Sequence, residues 1–116
     1  MSKNKELGLE GEQIAANYLQ KKGWGILEMN YRYSRSEIDL IASKSDMIIF
    51  VEVKTRTNTN FGLPEHFVDE KKAKNIMMGA EHYIHEINWN GNIRFDIISI
   101  IKKDSIEIKH FEDAFY

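Results

Sequence analysis

The most apolar stretch of this chain carries two charges on one side. Ile48-Ile49-Phe50-Val51-Glu52-Val53-Lys54 reads as a buried β-strand. Side chains alternate along a strand, so Ile48, Phe50, Glu52 and Lys54 share a face. A carboxylate or ammonium in such company costs several kcal/mol unless it is paired or bound to a metal. A second short strand, Glu37-Ile38-Asp39-Leu40-Ile41, sets two more carboxylates on one face. Two neighbouring apolar strands that both carry acids describe a built site better than a packed core.

At 116 residues the chain is expected to form one domain over 1–116, large enough for a core without staples. Apolar residues make up 42% and charged residues 29%, which is the globular range and not the disordered one. The absence of cysteine removes disulfides, thiolate catalysis and thiolate zinc sites, and fits a reducing cytoplasm. Met1 to Glu6 has no apolar core of the signal-peptide kind. The longest apolar run, Met47 to Val51, is far too short to cross a bilayer, so no membrane role is expected. The net charge of −2 argues against a pure DNA-binding module. It argues less against a nuclease, whose metal-binding acids lower the net charge without opposing phosphate once the metal is bound.

Helical spacing of Leu7, Ile14, Ala15, Tyr18 and Leu19 predicts a first helix over about 5–22, with Gly23 as its stop. Three strands are expected near 25–33, 36–43 and 47–55, the last two joined as an antiparallel hairpin through Ser43-Lys44-Ser45-Asp46. Thr57 to Pro64 is loop by composition. A second helix over about 69–87 would bury Ala73, Ile76, Ala80, Tyr83, Ile84 and Ile87. Asn90-Gly91-Asn92 signals a turn, and strands follow at 94–101 and 105–109. The order αβββαββ predicts an α/β fold: a mixed sheet of about five strands flanked by helices. Its third strand should be central and joined to the fourth by a parallel crossover.

Paired strands lie about 4.8 Å apart. Carboxylates of Asp39 and Glu52 on facing strands can therefore converge on one cation. A hard ion such as Mg²⁺ takes oxygen ligands and keeps several waters. Lys54, two residues beyond Glu52, can meet a phosphate oxygen or help position and deprotonate an attacking water. That set of groups is what metal-assisted phosphodiester hydrolysis requires. An isolated E-x-K triplet is common on half-exposed strands. Here Ile48 and Phe50 share the charged face, and an acidic strand precedes it at hairpin spacing. Glu12 is a further anomaly. It lies on the helix side occupied by Ala15, Ala16 and Leu19, next to Gly11 and one turn after Gly8. An acid near the first turn also favours the helix dipole. Arg32, Arg35, Lys54 and Arg56 fall on or beside the acidic strands, where they could meet nucleic acid.

These residues fall into a recognisable series. Gly8-x-x-Gly11-Glu12 leads, followed by Ala16, Tyr18-Leu19 and Gly23, then Asn30-Tyr31-Arg32. Glu37-Ile38-Asp39-Leu40-Ile41 comes next, then Phe50-Val51-Glu52-Val53-Lys54-Thr55-Arg56. Together with Phe61-Gly62, Pro64, Lys71, Ala80, Phe95-Asp96 and Ala114-Phe115, the series resembles the YraN-like family of small candidate endonucleases. That family is similar to the archaeal Holliday-junction resolvases and, more widely, to the PD-(D/E)xK nuclease superfamily. The resemblance implies a restriction-endonuclease-like fold and a Mg²⁺- or Mn²⁺-dependent endonuclease acting on DNA, including branched or structured DNA. It casts Asp39 and Glu52 as metal-binding acids, Lys54 as the motif lysine, Glu12 as a supporting acid and the Val53 carbonyl as a further ligand. Glu37 would help through a second metal or a water, and Lys71 would meet phosphate. A homodimer is implied by the resolvase similarity alone. Two departures bear on the local backbone: Ile38 stands where proline is usual, and Ser36 where glycine is common.

The alternative is a nucleic-acid-binding or repair-accessory protein that keeps the fold without turnover. His82 and His85, three residues apart on the second helix, read as a solvated face. Asp96 reads as the partner of an arginine, and Trp24, Trp89 and the Phe111–Tyr116 tail read as packing. Phe61 is the aromatic expected to touch substrate.

Overall fold

The computed structural model describes residues 3–57 and 68–115, with side chains from residue 8 onward. Phe61 and the loop expected beyond Thr57 lie outside the described residues. The described elements are α1 (Lys3–Lys21), β1 (Gly25–Tyr33), β2 (Ser36–Lys44), β3 (Met47–Arg56), α2 (Glu70–Glu86), β4 (Asn92–Lys102) and β5 (Ile106–Phe111). They form an open five-stranded sheet in the order β1-β2-β3-β4-β5. The pairs are antiparallel except for β3 with β4, which are parallel. The αβββαββ order, the central place of β3 and the parallel crossover all match the sequence reading. β4 starts two residues before the expected Arg94, because Asn92 is pinned to the β2–β3 turn. Its N–H donates to the Asp46 carbonyl at 2.7 Å, and its side-chain amide donates to the Asp46 carboxylate at 2.9 Å.

β3 is apolar from Met47 to Val51 because both its faces are covered there. On one face Ile48 and Phe50 join Ile97, Ala73, Ile76, Ala80 and Tyr83 beneath α2. On the other, Ile49, Val51 and Val53 join Leu40, Ile98, Ala15, Ala16 and Leu19 beneath α1. Each fully buried side chain of this size stabilises the fold by roughly 1.5–3 kcal/mol. α2 starts cleanly because the Asp69 carboxylate accepts the Lys72 N–H at 2.8 Å.

Two glycines bring the helices close to the sheet. A Cβ on Gly11 would stand 1.8 Å from Thr55 Oγ1, and one on Gly79 would stand 2.0 Å from Ser36 Oγ. Ser36, the departure from glycine in the sequence, is thus accommodated by a glycine on the opposing helix. The accommodation is imperfect. Ser36 is buried, and its hydroxyl finds no hydrogen-bond partner among the described residues. Ile38, the departure from proline, is 1% exposed and packs in the α2-side core.

Gly79→Ala should destabilise the fold by about 1–3 kcal/mol, the usual cost of overpacking. Combining it with Ser36→Gly should restore most of that loss, because the colliding side chain is gone. Thermal or urea unfolding of the three variants measures the coupling. Additive losses in the double variant would show that this contact does not set the spacing.

Candidate active site

The sheet loses its pairing around Asp39. The β2–β3 ladder stops at Leu40↔Val51, whereas β3 stays paired with β4 as far as Arg56↔Ile101. On the other side, the β1–β2 ladder steps from Met29↔Leu40 to Tyr31↔Ile38 and omits Asn30 and Asp39. Asn30 has φ 55°, a left-handed conformation that asparagine tolerates better than most residues. Side-chain alternation slips at the same place. Ile38 and Ile41 belong to the α2-side core, while Leu40 and Ala42 belong to the α1-side core. β2 and β3 therefore fork. In the fork, Asp39 Oδ2 accepts the backbone N–H of Val53 at 2.8 Å. A side chain takes the place that a strand carbonyl would otherwise fill.

Three acids meet across this fork. Glu52 lies on the α2 side of β3, 6% exposed, and its carboxyl, when protonated, donates to the Asp39 carboxylate. Glu12 reaches in from α1 and hydrogen-bonds with Asn30 and Asp39. One of its oxygens, Oε1, is buried with no partner among the described residues. Burial, followed by the charge of Asp39 and the hydrogen bond with it, pushes the Glu52 carboxyl up to about 8. Burial also raises Asp39, against hydrogen bonds from Glu52 and the Val53 N–H. Glu12 is raised by burial, with smaller contributions from the charges of Glu52 and Glu37. Acids raised together in this way are short of positive charge.

Lys72 supplies some of it. Its ammonium stands 2.9 Å from Glu52 Oε2. Burial is the largest influence on Lys72 and opposes its charge, but the charge and hydrogen bond of Glu52, with the charge of Asp39 and the contact with Lys54, together outweigh it and raise its pKa. Lys54 lies half-buried on the same strand face as Glu52; burial, then repulsion from Lys72, lowers it. Two lysines and three carboxylates thus share one opening in the sheet.

The other expected residues are placed less centrally. Glu37 is largely exposed and pairs with Arg32 at 2.9 Å, and its charge adds to the field on Glu12. Arg35 is exposed in the β1–β2 turn, and Arg56 is half-buried at the end of β3. Lys71 is exposed, while its neighbour Lys72 enters the fork. In the sequence Lys72 reads only as one of Lys71, Lys72 and Lys74, which open the second helix and could grip a DNA backbone or form a solvated first turn, and Asn30 reads only as part of the motif series. Lys72 had a signal: it lies four residues before Ile76 and eight before Ala80, on the buried stripe of α2. Asn30 had none, because its role depends on a left-handed backbone opposite Asp39.

The donor set suits a hard cation. Asp39, Glu52 and the Val53 carbonyl offer oxygen ligands of the kind Mg²⁺ or Mn²⁺ takes, and Glu12 Oε1 is a buried acceptor without a donor. The acids do not stand as a ready-made cage: among the described residues no three carboxylates or imidazoles are grouped tightly enough to hold an ion by themselves. One or two carboxylates plus water are the usual Mg²⁺ complement, so the residues fit such an ion without that cage.

Asp96 has a different task. It is fully buried and forked by Arg94 at 2.9 and 2.8 Å. It also meets His110 Nε2 at 2.7 Å and the Asp113 N–H at 3.0 Å. Despite burial, these partners hold its carboxyl below the usual range. The expected structural pairing with an arginine stands.

The fold and site define a small mixed α/β protein with an acid–lysine cluster where its central sheet splits. The uncharacterised protein family UPF0102 matches this chain over residues 11–100. A UPF0102 protein of Christiangramia forsetii is 43% identical over 117 residues, covering 100% of this chain and 98% of the relative. One from Syntrophomonas wolfei is 45% identical over 114 residues, covering 97% and 99%. One from Flavobacterium psychrophilum is 41% identical over 117 residues, covering 100% and 98%. The chain belongs to UPF0102, the YraN-like family that its motifs resemble. No helix among the described residues is long and apolar enough to cross a membrane.

The raised Glu52 carboxyl links stability to pH. Between about 4.5 and about 8 the folded chain binds more protons than the unfolded one, so stability should fall as pH rises through that window. Raised Asp39 and Glu12 act in the same direction. Glu52→Gln should flatten the slope. Urea unfolding in chelator at several pH values checks this; an equal slope in both proteins would remove Glu52 as its source.

Proposed function

We propose that this protein is a metal-dependent endonuclease that hydrolyses DNA phosphodiester bonds at the β2–β3 fork. The reading extends to a restriction-endonuclease-like fold and to branched or structured DNA as substrate. The observation that carries it is the convergence of Glu12, Asp39 and Glu52 with Lys54 and Lys72 at one split in an otherwise apolar sheet. Burying that many charges works against stability. It is explained by chemistry that needs them.

Asp39 and Glu52, with the Val53 carbonyl, would hold the Mg²⁺ or Mn²⁺ ion, which when bound supplies Lewis acidity and an acidified water. Glu12 would orient Asp39 through their shared hydrogen bond. Lys54 lies two residues along the strand from Glu52, within the reach of a phosphate held at the ligands. Its lowered pKa suits it to exchange a proton with water as well as to neutralise an oxygen. Lys72 would steady Glu52 before the cation arrives. Arg32, Arg35, Arg56 and Lys71 come from the same end of the sheet or the start of α2, where a DNA backbone approaching the fork would meet them.

One observation favours the second reading, a nucleic-acid-binding or repair-accessory module without turnover. Lys72 already offsets part of the acid charge with no metal needed. The two readings separate on metal and on cleavage.

Purified protein incubated with linear, nicked, flapped and four-way DNA in Mg²⁺ or Mn²⁺ should cut at least one of them. Asp39→Ala, Glu52→Gln and Lys54→Ala should each lose on the order of 10²-fold or more in rate. Mn²⁺ should raise the melting temperature of the wild type and not of Asp39→Ala. No cleavage, with DNA binding indifferent to metal and to these residues, sinks the enzyme and leaves the module. A second copy of the chain belongs to the same proposal, and sedimentation showing only monomer removes it.

A further inference from the structure

A second polar site lies away from the fork. Tyr18, Lys22, Trp24, Lys44, Arg94, His110 and Glu112 line a cleft of about 400 Å³. It opens where α1 and β2 end and β4 begins, whereas the fork lies towards the end of β3. Three of its residues are permanent cations, and Glu112 is its carboxylate, in a chain whose net charge is −2.

The cations are held, not merely solvated. Lys44 Nζ donates to the Lys22 carbonyl at 2.8 Å and stands 6.0 Å from the Trp24 ring centre. Lys22 Nζ lies 5.2 Å from the centre of Tyr18, and the Arg94 guanidinium 5.8 Å from that of Trp24. Arg94 is locked from behind. Its Nε and Nη2 are committed to Asp96, while Nη1 stands 3.8 Å from Glu112, beyond hydrogen-bond distance. Below them, His110 is 8% exposed, with Nε2 on Asp96 at 2.7 Å and Nδ1 3.4 Å from the Tyr18 hydroxyl.

The buried network accounts for Arg94 but not for the lysines. Asp96 is already satisfied by Arg94, His110 and the Asp113 N–H, so Lys22 and Lys44 have nothing to neutralise there. The Arg94 charge is matched by Asp96, but exposed Lys22 and Lys44 add two like charges at the same cleft, and exposed Glu112 offsets only part of them. An anion in the cleft would relieve the repulsion and would meet a fixed guanidinium edge, two ammonium groups and a hydroxyl. The Nη1 side of an arginine whose other nitrogens are held by Asp96, together with two lysines, is a donor set that suits the oxygens of a phosphate.

We propose that this cleft binds a phosphate group. The group can come from a free phosphate or phosphate monoester, or from the backbone of a single-stranded nucleic acid. The inference is independent of the fork and of the nuclease reading.

Amide and indole NMR of the ¹⁵N-labelled full chain, titrated with inorganic phosphate, tests it. Saturable shifts are expected at Lys22, Gly23 and the Trp24 indole N–H, with sodium chloride at equal ionic strength producing none. Lys22→Ala/Lys44→Ala should weaken binding about 10-fold or more, whereas Lys22→Arg/Lys44→Arg should retain it. Amide dispersion reports that each variant is folded. Glu52→Gln should bind as the wild type does, which separates this site from the fork. A short single-stranded oligonucleotide that binds the cleft much more tightly than phosphate, with the same lysine dependence, assigns the source to nucleic acid. Equal or weaker binding assigns it to a free anion. Shifts that do not saturate, or equal affinity in the alanine variant, overturn the site.

Discussion

The Asp39 carboxylate on the Val53 N–H is the contact around which the rest of this molecule is arranged. β3 needs a partner for that donor, because a buried N–H left open costs about as much as a lost hydrogen bond. In an ordinary sheet β2 would supply a carbonyl. Here β2 joins the β3 ladder only from Leu40 onward, and the side chain of the residue before it substitutes at 2.8 Å. The substitution creates the gap between the strands, fills it with negative charge and fixes where that charge points. Asn30 makes the matching adjustment on β1 by taking a left-handed conformation opposite.

Everything near the fork follows from supporting it. Gly11 lets α1 lie against Thr55, which brings Glu12 within reach of Asp39. Gly79 lets α2 lie against Ser36, and the stripe of α2 that buries Ile76 and Ala80 delivers Lys72 to Glu52. The two large apolar cores meet across β3, so the strand that carries Glu52 and Lys54 is held from both sides. Groups held that rigidly cannot relax away from one another. That is why burial and mutual repulsion appear as raised carboxyls and a lowered lysine.

The two polar centres of the molecule illustrate opposite solutions to burying a charge. Asp96 is surrounded by donors, and its carboxyl is held low. Glu52 is buried to a similar degree but faces another acid, and its carboxyl is pushed up to about 8. The first arrangement stabilises a sheet and anchors Arg94. The second stores unfavourable electrostatics that a bound cation would relieve, and such pairs are found where chemistry is done.

The sequence by itself determined the element order, the central strand and the shared face of Glu52 and Lys54, because those follow from apolar periodicity and strand alternation. It also brought Asp39 and Glu12 into view, since an acid in an apolar pattern stands out without coordinates. The lysines are less legible: the motif series points to Lys71, although the helical stripe of α2 marks Lys72. Tertiary structure alone decided where the ladders stop. The register of three strands, the left-handed turn at Asn30 and the slip of alternation at Asp39 depend on contacts between distant segments. Only those contacts separate Glu37, left largely exposed on Arg32, from the three acids that meet in the fork.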